Sequence, residues 1–137
     1  MAAGVLTYDF ERILAFAQSR MPLARQEGMR GIGLERDGQV IASAIYEGFN
    51  GSNIWVHLAA AEGRSWLNRT FLQAGFAYPF AVCGVQKLWG WVDASNEDAR
   101  RFDEHCGFVQ QAVLPGAARD GGDVIVYGMT RVECRFL

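Results

Sequence analysis

The chain has 137 residues, the length of one ordinary domain, and is 50% apolar and 12% aromatic. That composition supplies a core and excludes a disordered segment. The formal net charge is −2 and no run of Lys and Arg occurs, so a nucleic acid or another polyanion is not an expected partner.

The first predicted element is a helix over residues 8–20. Phe10, Ile13, Leu14 and Ala17 recur at helical spacing, Asp9 or Thr7 caps the start, and Pro22 stops the helix. Strands are predicted over 30–36 and 39–48, joined at Asp37-Gly38, a pair suited to the positive φ values of a tight primed turn. A third strand covers 53–60, where Ile54, Val56 and Leu58 alternate with Trp55 and His57. The period then changes to helical over 64–83, with Leu67, Phe71, Ala74, Phe76 and Phe80 inward and Pro79 kinking or ending the helix near Tyr78. A strand over 86–93 sets Trp89 and Trp91 on one face. Ser95 or Asn96 caps the next helix, which carries Glu97 and Asp98 in its first turn, runs to about His105 and closes at Gly107. Strands over 108–114 and 123–132 flank a Gly-rich loop. The four tryptophans, Trp55, Trp66, Trp89 and Trp91, read mostly as core, with Trp66 the one placed to touch a ligand.

The strand–helix–strand run over 53–93 calls for a parallel pair, and the Asp37-Gly38 hairpin for an antiparallel one. The expected fold class is α/β (α+β), a single domain over 1–137 built on a mixed sheet with helices on its faces. Cys83, Cys106 and Cys134 are an odd number without CxxC spacing and read as reduced thiols, with no metal site expected. No signal peptide is visible and no apolar run approaches the roughly 20 residues that span a bilayer, so a cytoplasmic protein with no membrane attachment is expected.

Two places carry chemistry. After the third strand the chain reads Ala59-Ala60-Ala61-Glu62-Gly63-Arg64-Ser65-Trp66. Amides from Gly63 onward that open a helix suit a phosphate or pyrophosphate, and Arg64 adds a charge-assisted contact. A plain helix start fits the same residues. The second place is the run from Asp93 to Phe108. Asn96, Ala99, Arg100, Arg101 and the closing Gly107-Phe108 stand at spacings that resemble the Gcn5-related N-acetyltransferase (GNAT) superfamily, and the strand order fits that fold. The likeness runs from about residue 53 to 131; the first fifty residues match in general pattern only.

The resemblance implies a mostly antiparallel sheet with one parallel, splayed strand pair. Leu58 to Ala60 then line the acyl and pantetheine arm of acetyl-CoA. The segment Glu62, Gly63, Arg64, Ser65 and Trp66 holds the pyrophosphate, Asn96 bonds the pantetheine, and Phe102 packs near the thiol end. Arg64 and Trp66 depart from the small residues usual in the family's phosphate loop. Where many members carry a Tyr able to protonate the leaving thiolate, this chain has Asp103, a poor acid unless burial raises its pKa.

For the base, Glu47 and His57 are the candidates, and a histidine side chain titrates near neutrality. His57 also reads as a satisfied residue on the sheet face. Tyr127 reads either as a proton donor to the thiolate or as a core tyrosine, and His105 as a charge at a helix end. The leading expectation is acetyl transfer from acetyl-CoA to a primary amine, on a small molecule or a peptide, by direct attack. The alternative is a GNAT-fold module that binds coenzyme A or a protein partner without turnover. A homodimer through strand edges or the tail 134–137 is compatible with the sequence.

Overall fold

The computed structural model describes residues 4–63 and 68–137. A short strand, β1 (Val5–Thr7), precedes helix α1 (Phe10–Gln18). The Asp9 carboxylate caps α1 by accepting from Arg12 N, as expected; Thr7, the other cap candidate, belongs to β1, a strand whose three residues are too short a pattern to show in the sequence. Strands β2 (Arg30–Arg36) and β3 (Gln39–Glu47) form the predicted hairpin. Its turn residues Asp37 and Gly38 have φ of 52° and 80°, the pair of positive values that a primed turn requires. Strand β4 (Asn53–Ala60) follows.

Helix α2 (Arg69–Ala77) is shorter than the predicted 64–83 helix. Its cap is the Asn68 side chain, which accepts from Phe71 N at 3.0 Å; residues 64–67 of the predicted helix, with Leu67, lie outside the described residues. Its C-terminal part becomes a π-helical turn, Tyr78–Val82, in which Cys83 N donates to Tyr78 O. Pro79 is the cause. It has no N–H to give to the carbonyl of Gly75, and the buried hydroxyl of Tyr46 donates to that carbonyl instead. The kink thus fastens the helix to β3.

Strand β5 (Lys87–Asp93), helix α3 (Glu97–Cys106), β6 (Val109–Leu114) and β7 (Val124–Thr130) complete the order, followed by a 3-10 turn, Arg131–Glu133, in place of the last predicted strand residues. Asn96 caps α3 by accepting from Ala99 N, and Gly107 ends it at φ 117°.

The seven strands form one sheet in the order β1-β2-β3-β4-β5-β7-β6. Every pairing is antiparallel except β4 with β5. On one face α1 packs Ile13, Leu14 and Ala17 against Ile45 and Ala59. On the other, Phe71, Phe76 and Phe80 of the α2 region and Cys106 of α3 pack over Leu34, Tyr46, Leu88, Tyr127 and Met129. Each Leu, Ile, Phe or Met among them taken fully out of water contributes about 1.5–3 kcal/mol before entropy is subtracted. The tryptophans correct the expectation of a core role: Trp91 is 57% exposed and Trp55 and Trp89 are half-buried. The α1 helix packs on β2, β3 and β4, so the β5 rings on its side of the sheet lie beyond its cover. Trp66 lies outside the described residues.

Candidate functional site

Strands β4 and β5 pair over three residues only, Asn53–Trp55 against Lys87–Trp89. Beyond that point both continue, β4 bonded to β3 as far as Ala60 and β5 to β7 as far as Asp93. Their facing edges therefore part, leaving inner backbone groups without a ladder partner. A cavity of about 860 Å³ fills the opening. It is lined from one sheet face by His57 and Trp91, and from the other by Val56, Leu58, Gly90 and Val92. Asn96 and Asp103 of α3 close one side, and Leu114, Ala117 and Arg119 another. Residues Met21 to Ala24, after α1, form a further part of the wall.

The β6–β7 loop is held against the start of α3. Ala94 N donates to Asp123 O at 2.9 Å and Ser95 Oγ to Asp120 at 3.1 Å. Burial is slight here, and the backbone amide of Gly122 and the Ser95 hydroxyl hold the Asp120 carboxyl below its usual range.

Three side chains in this cavity can move protons. In the antiparallel β3–β4 pair, Ile45 lies opposite His57 and Glu47 opposite Trp55. Glu47 and His57 are therefore diagonal neighbours on one face, and His57 Nε2 lies 2.6 Å from Glu47 Oε2. With Glu47 accepting from Nε2–H, the lone pair of the ring sits on Nδ1. The third group is Asp103, only 8% exposed. Burial, with the Glu104 carboxylate adding to it, pushes its carboxyl up to about 7. A carboxyl raised to about 7 is protonated in roughly half of the molecules at neutral pH, where an ordinary aspartate is ionised.

Tyr127 is placed differently. It is fully buried, its hydroxyl donates to Glu104 Oε2 at 2.6 Å and accepts from Arg100 Nε at 3.3 Å, and it is not part of the cavity wall. Burial and the bond to Glu104 raise its pKa against the opposing pull of Arg100, which makes it a weaker acid still. Burial and the neighbouring Asp103 push the Cys106 thiol up to about 12, so it packs as a thiol and does not act as a nucleophile. Among the described residues no group of His, Cys, Asp and Glu is arranged to hold a metal ion, and no helix is long and apolar enough to cross a membrane. A second cavity, of about 790 Å³ between Tyr8, Arg30, Tyr46 and Tyr78, contains none of the sequence-predicted site residues.

No protein-family model and no curated protein sequence matches the chain. Solved structures do. Ard1 from Thermoplasma volcanium superposes with a TM-score of 0.75 at 17% identity, covering 94% of this chain and 98% of that one. The spermidine/spermine N-acetyltransferase SpeG from Vibrio cholerae gives 0.76 at 16%, covering 93% and 92%. The ribosomal-protein-S18-alanine N-acetyltransferase from Escherichia coli gives 0.72 at 20%, covering 93% of each. The fold is that of the Gcn5-related N-acetyltransferases. At these identities the likeness is one of architecture, and it extends over the first fifty residues that sequence pattern alone matches only loosely.

Within this acetyltransferase fold, Glu47, His57, Leu58, Asn96 and Asp103 share one cavity. Ala60 and Phe102 pack against the main core instead. Glu62 and Gly63 are exposed after β4, and Arg64, Ser65 and Trp66 lie outside the described residues. Sequence reasoning misses the part played by Trp91, Asp93 and Arg119 in the wall. For Trp91 a signal exists: at period two it shares a sheet face with Trp55 and His57 once the parallel register is set.

Proposed function

We propose that the protein transfers an acetyl group from acetyl-CoA to an amine by direct attack, without a covalent enzyme intermediate. The observation that carries this reading is the meeting of the His57–Glu47 pair and the buried Asp103 carboxyl in one cavity at the point where β4 and β5 part. Acetyl-CoA supplies the thioester carbonyl and the thiolate that leaves it. The chain's own residues do the rest. Unpaired backbone of β4 near Leu58 bonds the pantetheine arm. Asn96, whose Oδ1 already accepts from Ala99 N at 3.2 Å, offers its amide NH₂ to the same arm. Nδ1 of His57 takes a proton from the acceptor ammonium, and Glu47 stabilises the imidazolium. As the N–C bond forms and the C–S bond breaks, Asp103 delivers its proton to the departing sulfur, and the second proton that the nitrogen loses on becoming an amide returns to the Asp103 carboxylate or passes to solvent. The pyrophosphate is assigned to the segment from Glu62 to Trp66, which precedes the start of α2, so the Arg64 guanidinium and backbone amides hold it in place of a helix N-terminus.

Thiol release from acetyl-CoA over a panel of primary amines tests the proposal. Release that depends on the amine supports it; no release with any amine at saturating donor sinks it, and stabilisation by coenzyme A without release leaves a binding module. His57→Ala is expected to lower kcat by about 100-fold with a much smaller change in coenzyme A affinity, measured by calorimetry beside the thiol assay. An undiminished kcat would remove His57 as the base. Asn96→Ala is expected to cost about 1 kcal/mol of stability through loss of the α3 cap and to weaken coenzyme A binding several-fold. Denaturant unfolding and calorimetry read the two effects separately.

A further inference from the structure

The side of the sheet that α1 leaves uncovered carries a ladder of rings: Trp55 stacks on Trp89 at 5.7 Å, and Trp91 lies 5.6 Å from Trp55 and 5.8 Å from His57. One rung already holds a cation, since Lys87 Nζ sits 4.6 Å from the Trp89 ring centre. The next rung, Trp91, is 57% exposed, faces the cavity and has no cation over it among the described residues. The cavity wall around it carries three carboxyl groups, Glu47, Asp93 and Asp103, against one guanidinium, Arg119. Glu47 is engaged by His57, whereas the Asp93 carboxylate has no side-chain partner among the described residues. An open indole face beside a free carboxylate is the chemistry that binds an ammonium ion.

We propose that the acceptor is an aliphatic diamine, whose second, non-reacting ammonium rests on the open face of Trp91 in reach of Asp93. This rests on the acetyl-transfer reading for the fate of the first amine only; the cation subsite stands on its own lining. Trp91 is then a residue that sets specificity, selecting the acceptor by its far charge.

The test compares 1,4-diaminobutane with n-pentylamine, which has the same number of heavy atoms and lacks the second charge. Binding of each to the full chain is measured by calorimetry, with and without coenzyme A, and turnover by thiol release. The diamine is expected to bind at least about tenfold more tightly than the monoamine. That ratio falls to about one in Trp91→Ala and is partly kept in Trp91→Phe, which preserves a ring face if the smaller variant folds poorly. Equal affinities in the wild type, no binding of the diamine, or an unchanged ratio in Trp91→Ala each overturn the subsite. Thiol release without diamine preference overturns the subsite alone, and diamine preference without release for any amine overturns acetyl transfer and leaves the subsite standing.

Discussion

Asp103→Asn is expected to lower kcat by about 100-fold and to abolish the fall in rate as pH rises through 7. The wild-type carboxyl, held up to about 7 by burial and by Glu104, is a proton donor below that pH and loses the role above it. An amide cannot donate in its place, and general-acid groups are typically worth about 10² to 10⁴ in rate. The same burial has a consequence for stability, of opposite sign. In the folded chain the group holds its proton up to about 7; unfolded it releases it near 3.8. Over that interval the native state binds more protons than the unfolded state, so stability is complete below about 4 and falls as pH rises through 7. About three pKa units correspond to roughly 4 kcal/mol. Asp103→Asn should therefore be more stable than the wild type at pH 8 and closely matched near pH 3.5. Chemical denaturation at the two pH values and a kcat–pH profile check both halves. A variant with lost activity and an unchanged alkaline limb would count against Asp103 as the acid.

Gly107→Ala is expected to destabilise the protein by at least about 3 kcal/mol. Gly107 ends α3 at φ 117°, a conformation that L side chains rarely adopt, and a Cβ there would meet Glu133 O at 2.0 Å. Backbone strain and overpacking each cost about 1–3 kcal/mol. The obstacle cannot swing away as a side chain would. It is backbone, tied to the same junction by Arg135 N donating to Cys106 O at 3.0 Å. Against a typical total stability of about 5–15 kcal/mol, such a loss brings the chain close to unfolding at 37 °C. Gly38→Asn is the matching comparison: its φ is 80°, nothing lies within 4 Å of where a Cβ would stand, and a cost under about 1 kcal/mol is expected. Equal urea midpoints for the two variants would refute the clash at Glu133.

Much of the architecture is legible in local sequence because local chemistry specifies it. Asp37-Gly38 calls for a primed turn, Asn96 and Gly107 bracket α3, and the period change after β4 announces a helical crossover and hence a parallel pair. Those signals act between residues a few positions apart. The His57–Glu47 pair is half legible. Each residue stands out separately as a base, but nothing in their spacing tells that the β3–β4 register makes them diagonal neighbours 2.6 Å apart. Where Pro79 deflects α2, the sequence announces a kink; only the fold supplies the Tyr46 hydroxyl that satisfies the freed carbonyl of Gly75.

The sequence alone thus determined the order of the longer elements from α1 to β7, the mixed sheet and the two ends of α3, because turn, cap and periodicity preferences are short-range; the short β1 strand was not among them. Tertiary structure alone decided which carboxyl keeps a proton and which tryptophan stays open. Asp103 is an ordinary helical aspartate until α3 is pressed against the sheet, where loss of water raises its pKa. Trp91 has the pattern of a core residue, yet α1 packs on β2, β3 and β4 and leaves the indole at the mouth of the cavity. Solvation is a property of the assembled surface, and no stretch of chain carries it by itself.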